Sequence, residues 1–128
     1  MKEIVYVTKV FEFHAAHWLK SHQGVCSRLH GHSYKLEVTC KGELNEEGMV
    51  VDFSELKEVV EKLIISQLDH ECLNDILQFE NDPTAERLAV FIFNTLRQFD
   101  VPFNVDEVKV WETSTSYATY RGEYYKSA

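Results

Sequence analysis

Between residues 30 and 40 the chain alternates without a slip. His30, His32, Tyr34, Leu36, Val38 and Cys40 fall on one face of an extended chain; Gly31, Ser33, Lys35, Glu37 and Thr39 fall on the other. A period of two predicts a β-strand with an apolar and a polar face. Residues 4–17, rich in Val, Phe and Tyr, predict a long strand before it. The period then changes. In "DFSELKEVVEKLIISQL", Leu56, Val59, Val60, Leu63 and Ile64 recur at i, i+3, i+4, i+7 and i+8, the stripe of an amphipathic helix. Asp52 is its expected N-cap, with Glu55 as capping-box partner. A second helix is expected from "DPTAE", with Asp82 as N-cap and Pro83 in the first helical position. Leu88, Phe91, Ile92, Leu96 and Phe99 form its stripe, and Val90 and Phe93 widen it. "DEVKVWET" and "YATYRGEYY" return to strands.

The order ββααββ predicts an α+β fold, an antiparallel sheet with two helices on one face. Four strands leave open edges, and self-association is one way to cover them. The 128 residues contain no linker, internal repeat or low-complexity run, so residues 1–128 are expected to form a single domain.

Composition narrows the function. The net charge of −8 argues against nonspecific binding to nucleic acid or to an acidic membrane, both of which reward clustered Lys and Arg. No apolar run is long enough to span a bilayer. The opening "MKEIVYVTKVFEF" lacks a cleavage site and carries charge within its apolar stretch, unlike a signal peptide. Three cysteines without CxxC spacing point away from a disulfide framework and toward a reducing cytoplasm.

The chemistry concentrates in "HAAHWLKSHQGVCSRLHGHSY", which holds five of the six histidines. His30 and His32 are i and i+2 of a strand and project to one face. His17 ends the preceding strand with the parity of Phe11 and Phe13. Three neutral imidazoles from adjacent strands suit Zn²⁺ and leave a fourth position for water or substrate. His14 has the opposite parity and His22 lies in a polar loop; both read as solvated. Cys26 stands four residues before His30. Spacing alone leaves it as fourth ligand, as base or nucleophile, or as a loop thiol. Cys40 and Cys72 read as packing. Asp69-His70 is a weak signal by itself, because adjacent residues do not face each other on a helix. Glu112 ends an apolar row begun by Val108 and Val110. It either finds a partner or ligand or turns to water.

With these residues in place, the sequence resembles the 6-pyruvoyltetrahydropterin synthase / 6-carboxytetrahydropterin synthase family. The matching pieces are "FHAAH", "CSRLHGHSY", "GMVVDFSELK", "LDHECLN", "PTAE" and "VWET", in family order and across nearly the whole chain. The resemblance implies the tunnelling fold (T-fold), whose sheets join around a threefold axis into a barrel as a trimer or a dimer of trimers, with active sites at subunit interfaces. It implies zinc on His17, His30 and His32, a catalytic Cys26, a proton-relay pair Asp69 and His70, and a pterin-anchoring Glu112 with Thr113 beside it. Cys-x-x-x-His-Gly-His spacing is similar to that of the bacterial 6-carboxytetrahydropterin synthases of queuosine (7-deazaguanine) biosynthesis. The implied reaction takes 7,8-dihydroneopterin triphosphate to 6-carboxytetrahydropterin, acetaldehyde and triphosphate. The same fold making 6-pyruvoyltetrahydropterin, and a non-catalytic zinc- or pterin-binding module, are the alternatives. Trp18 stands where many relatives carry Arg, which leaves Arg28 and Lys20 as candidates for the phosphates.

Overall fold

The computed structural model describes residues 2–22, 24–76 and 82–125. Two long strands, β1 (Ile4–His17) and β2 (His30–Glu43), form an antiparallel hairpin-like pair joined by a loop that carries a single 3₁₀ turn, Val25–Ser27. Helix α1 (Phe53–Val60) runs into a π-helical turn (Glu61–Ile65) and a last turn, α2 (Ser66–Leu68). A two-residue strand β3 (Glu71–Cys72) and a short helix α3 (Leu73–Ile76) follow. Helix α4 (Ala85–Gln98) precedes β4 (Val105–Thr113) and β5 (Ser116–Tyr120).

The sheet order is β3-β1-β2-β4-β5, antiparallel throughout except for β3, which lies parallel to β1. The α+β architecture predicted by the change of period is present. β3 is additional, and two residues give no period to read. β3 covers only Ala15 and Ala16 of the outer edge of β1. Along the rest of that strand Ile4, Tyr6 and Val10 are half exposed.

Alternation places the core. Phe11, Phe13 and Ala15 of β1, Tyr34, Leu36, Val38 and Cys40 of β2, and Val108 and Val110 of β4 are buried on one face. Leu56, Val60, Ile64 and Leu68 from the first helix and Leu88, Ile92 and Leu96 from α4 close over them. Each of the Val, Leu, Ile and Phe side chains among them contributes about 1.5–3 kcal/mol by leaving water. Burial pushes the Cys40 thiol up to about 11, so it packs as an apolar group, as its strand position predicts.

Asp52 caps α1 as expected, but through the Ser54 amide at 2.8 Å. At α4 the expectation is corrected. The N-cap is Thr84, whose hydroxyl accepts the Arg87 amide at 3.2 Å, and the helix begins at Ala85 rather than Pro83. A hydroxyl suffices as cap, and the Asp82 carboxylate is engaged elsewhere, with the amides of Lys20 and Ser21.

Candidate metal centre and active site

Strand register brings the three histidines together. His17 pairs directly with His30 across β1 and β2, and His32 lies opposite Ala15, two steps along the same face. Ring centroids stand 4.7 Å apart for His17–His30, 4.9 Å for His30–His32 and 5.1 Å for His17–His32. One ring nitrogen from each lies within 4.8 Å of the others, so the cluster could hold a metal ion. His17 is fully buried.

The hydrogen bonds fix the tautomers. His17 Nδ1 is 2.9 Å from the Pro83 carbonyl, and His30 Nδ1 is 2.7 Å from the Arg28 carbonyl. A carbonyl only accepts, so both protons sit on Nδ1 and both Nε2 atoms carry lone pairs. Those two Nε2 atoms face each other at 3.1 Å. Two lone pairs at that distance repel unless a proton or a metal ion lies between them. Tetrahedral coordination with metal–nitrogen bonds of about 2.0–2.1 Å requires ligand nitrogens about 3.3–3.4 Å apart. The donor set therefore fits a metal, and the carbonyls behind it are the outer partners that such histidines use.

His32 completes the set. Its Nε2 is buried and has no hydrogen bond among the described residues. Glu112 Oε1 stands 3.3 Å away, close enough for an ion pair but out of line for a hydrogen bond. Burial lowers the His32 pKa, Glu112 opposes this, and the imidazoles of His17 and His30 add to it. Glu112 is placed by an irregularity: the β4–β5 register shifts by one between Trp111 and Thr113. Such bulges re-aim a side chain. Beneath the histidines, Tyr34 stacks on Phe13 at 4.9 Å and its hydroxyl lies 3.3 Å from His17 Nδ1. Burial raises the Tyr34 phenol and Glu112 adds to the shift, so it stays protonated.

Asp69 and His70 do meet. His70 Nδ1 is 3.1 Å from Asp69 Oδ2, although neighbouring residues on a helix would diverge. They are not on a helix. α2 ends at Leu68, Asp69 is extended, and His70 has a left-handed φ of 63°. That conformation is strained for a non-glycine residue and is held here from outside. The His70 amide donates to the His14 carbonyl at 2.6 Å, and the His14 amide donates to Asp69 Oδ1 at 2.9 Å. The His14 amide is the main cause holding the Asp69 carboxyl below its ordinary range. His14 is exposed, as its parity predicts, and holds the pair through its main-chain groups. Its ring is bonded through Nδ1 to Ser33 Oγ at 3.0 Å and lies edge-on to His70 at 5.9 Å.

Two cavities flank the Gly31–Ser33 segment. One, of about 510 Å³, is lined by His32, Lys35, Trp111, Glu112 and Thr113. The other, of about 490 Å³, is lined by His14, His32, His70 and Cys72. A Cβ on Gly31 would meet only the Ala15 carbonyl at 3.7 Å, so the glycine matters for the open space rather than for the backbone. Cys72 lines this cavity together with His70, where the sequence suggests only packing.

Cys26 sits on the 3₁₀ turn, half-buried, and lines neither cavity. Arg28 is exposed, and its carbonyl serves His30. Within one chain, then, the histidines, Glu112 and the Asp69–His70 pair gather around β2, whereas Cys26 stands on the loop before it. Tyr34 shares the face that parity gives to His30 and His32, but the Pro83 carbonyl, His14 and Asp82 have roles with no signature in sequence. They act through main-chain groups or through a fold-dependent neighbour.

Fold and cluster define the class: an α+β protein able to hold a metal at the end of an antiparallel sheet. A family model described as 6-pyruvoyl tetrahydropterin synthase matches residues 6–123, and the chain belongs to that family. It is 38% identical to a 6-carboxy-5,6,7,8-tetrahydropterin synthase of Haemophilus influenzae, over 90% of this chain and 97% of that one. It is 44% identical to the protein of the same name from Synechocystis sp., over 89% and 91%. Among solved structures it resembles Caenorhabditis elegans 6-pyruvoyl tetrahydropterin synthase, with TM-score 0.85, 29% identity and coverage of 95% and 98%.

Proposed function

We propose that the protein is a zinc-dependent 6-carboxy-5,6,7,8-tetrahydropterin synthase that converts 7,8-dihydroneopterin triphosphate to 6-carboxytetrahydropterin, acetaldehyde and triphosphate, in queuosine (7-deazaguanine) biosynthesis in the cytoplasm. The observation that carries the reading is the pair of facing lone pairs on His17 and His30, with the orphaned Nε2 of His32 beside them. Two relatives aligned over about nine tenths of the chain carry that synthase's name, and the reaction is the one the family resemblance implies.

Three neutral imidazoles suit Zn²⁺, held by His17, His30 and His32, and the ion supplies Lewis-acid polarisation of substrate oxygens when bound. The chain's own groups divide the remaining work. Glu112, at the wall of the larger cavity, accepts the paired N–H groups of the pterin's aminopyrimidine edge, and Thr113 is a further contact. Cys26 takes a proton from the substrate side chain. His70, held by Asp69, passes protons to and from it. Arg28 is a candidate for the triphosphate.

The open edges of β1 and β5 suit closure by copies of the chain, as a trimer or a dimer of trimers. Closure would let Cys26 of one copy approach Asp69 and His70 of another, which accounts for their separation within one chain. Residues 1–128 act as one unit in this reading.

The test is incubation of zinc-loaded protein with 7,8-dihydroneopterin triphosphate and identification of products by mass. Acetaldehyde with 6-carboxytetrahydropterin is expected. A 6-pyruvoyl product without acetaldehyde would assign the activity named for the Caenorhabditis elegans structure. No turnover by metal-loaded protein would leave a binding module.

A further inference from the structure

Asp82 is a buried carboxylate that the reading above does not use. Its Oδ1 accepts the Lys20 amide at 2.9 Å and its Oδ2 the Ser21 amide at 3.0 Å. Burial alone would raise its carboxyl. The amides of Ser21 and Lys20 outweigh that and keep it ionised. The next residue, Pro83, gives its carbonyl to His17 Nδ1. One dipeptide therefore reaches both the metal cluster and the chain that leaves it.

A second side chain grips the same arm. Asn74 Oδ1 accepts the Trp18 amide at 3.0 Å, and its Nδ2 donates to the Trp18 carbonyl at 3.0 Å. Trp18, Lys20 and Ser21 follow directly on His17, and both grips come from more than fifty residues away in sequence. The arm in turn holds the turn bearing Cys26, because the Leu19 amide donates to the Cys26 carbonyl at 2.8 Å. Main-chain groups thus carry the connection from Asp82 and Asn74 to Cys26.

We propose that Asp82 and Asn74 are positioning residues that fix the Trp18–Ser21 arm and so set where the Cys26 thiol stands relative to His17, His30 and His32. The proposal rests on Cys26 as the proton-transferring group. Neither Asp82 nor Asn74 lines the two cavities named above. A loop of this length, free at its stem, would let Cys26 wander, and a misplacement of about 1 Å at a reacting group costs about a hundredfold in rate.

The experiment uses the zinc-loaded full chain and four variants: Asp82→Ala, Asp82→Asn, Asn74→Ala and Asn74→Asp. Metal content, kcat, KM and the rate of Cys26 alkylation by iodoacetamide, located by peptide mass, are read on each. In the alanine variants kcat falls about 10- to 100-fold while KM moves by less than about threefold and the metal stays bound. Cys26 alkylation changes in parallel. Asp82→Asn keeps one acceptor for the two amides of Lys20 and Ser21 and sets its own N–H group against the other, so it recovers only part of kcat. Asn74→Asp keeps the acceptor for the Trp18 amide but sets a carboxylate oxygen against its carbonyl, and gives a loss of the same kind should the alanine variant not fold. Unchanged kcat and unchanged alkylation in the variants would overturn the proposal, as would loss of metal in step with loss of turnover. An inactive wild type would count against the proposed function instead, and Cys26 alkylation would still read the arm.

Discussion

His17 and His30 present Nε2 to Nε2 at 3.1 Å, each with its proton committed to a main-chain carbonyl on the far side of the ring. The arrangement is unfavourable for bare imidazoles and favourable for imidazoles that share a cation. An ion held there would add its binding energy to the folded state, since ligands that repel in isolation gain most from an ion between them.

Removing a ligand should therefore remove the metal. His32→Ala is expected to hold less than about a tenth of the wild-type metal after dialysis, by elemental analysis, because two imidazoles bind far more weakly than three. A fully metallated His32→Ala would sink the three-histidine assignment.

Cys26→Ala should separate metal from chemistry. Cys26 stands apart from the cluster on its turn, so metal content is expected to be unchanged. Turnover should fall by about 10²- to 10⁴-fold, the usual contribution of a positioned acid–base group. Loss of metal in this variant would make Cys26 a ligand.

Glu112→Gln keeps the shape of the side chain and removes its charge. The amide still offers one acceptor where the pterin edge would present paired donors. KM should rise about tenfold or more, with metal retained. Steady-state kinetics on the metal-loaded variant check this.

The Asp69 carboxyl is depressed below its ordinary 3.8, first by the His14 amide, with burial opposing and His70 assisting. A depressed carboxyl stabilises the fold above its unfolded value and loses that contribution as pH falls through its folded value. Wild type should therefore melt above Asp69→Asn at neutral pH, and the gap should close as the solution is taken below about pH 4. A gap that persisted in acid would mean that the carboxylate charge is not what holds the His14 amide.

Leu36 is fully buried at the centre of the sheet. Leu36→Ala should lose about 2–5 kcal/mol, seen as a lower urea midpoint at unchanged slope.

Much of this was legible in the chain because strand parity is a local rule. Parity puts His30 and His32 on one face of β2 and His17 at the end of the apolar row of β1, and the core rows of β1, β2 and β4 follow the same alternation. The first helix is legible for the same reason. What escaped was set by distant partners. Asp82 looks like a helix cap in sequence, and only the fold reveals that it serves Lys20 and Ser21 while Thr84 does the capping. His14 has the parity of a solvated residue, and its contribution to Asp69 and His70 runs through its amide and carbonyl. Main-chain groups are the same in every residue, so no residue type announces them. The pairing of Asp69 with His70 depends on a positive φ that composition does not forecast.

The π-helical turn before that pair has a consequence of its own. The Ser66 amide reaches back five residues to the Glu61 carbonyl, so the helix holds one residue more than an unbroken α-helical ladder would. Each residue advances the spiral by about 100°. The surplus residue is absorbed within that one wide turn, so Leu56 and Val60 before it, Ile64 within it and Leu68 beyond it are all buried. Deleting one residue from Glu61–Ile65 would close the ladder as an unbroken α-helix and leave the Asp69–His70 pair where it stands, whereas deleting two would swing the pair about a quarter-turn away from His14. A two-codon deletion there would disarm the pair without touching any residue that belongs to it, and a one-codon deletion would spare it.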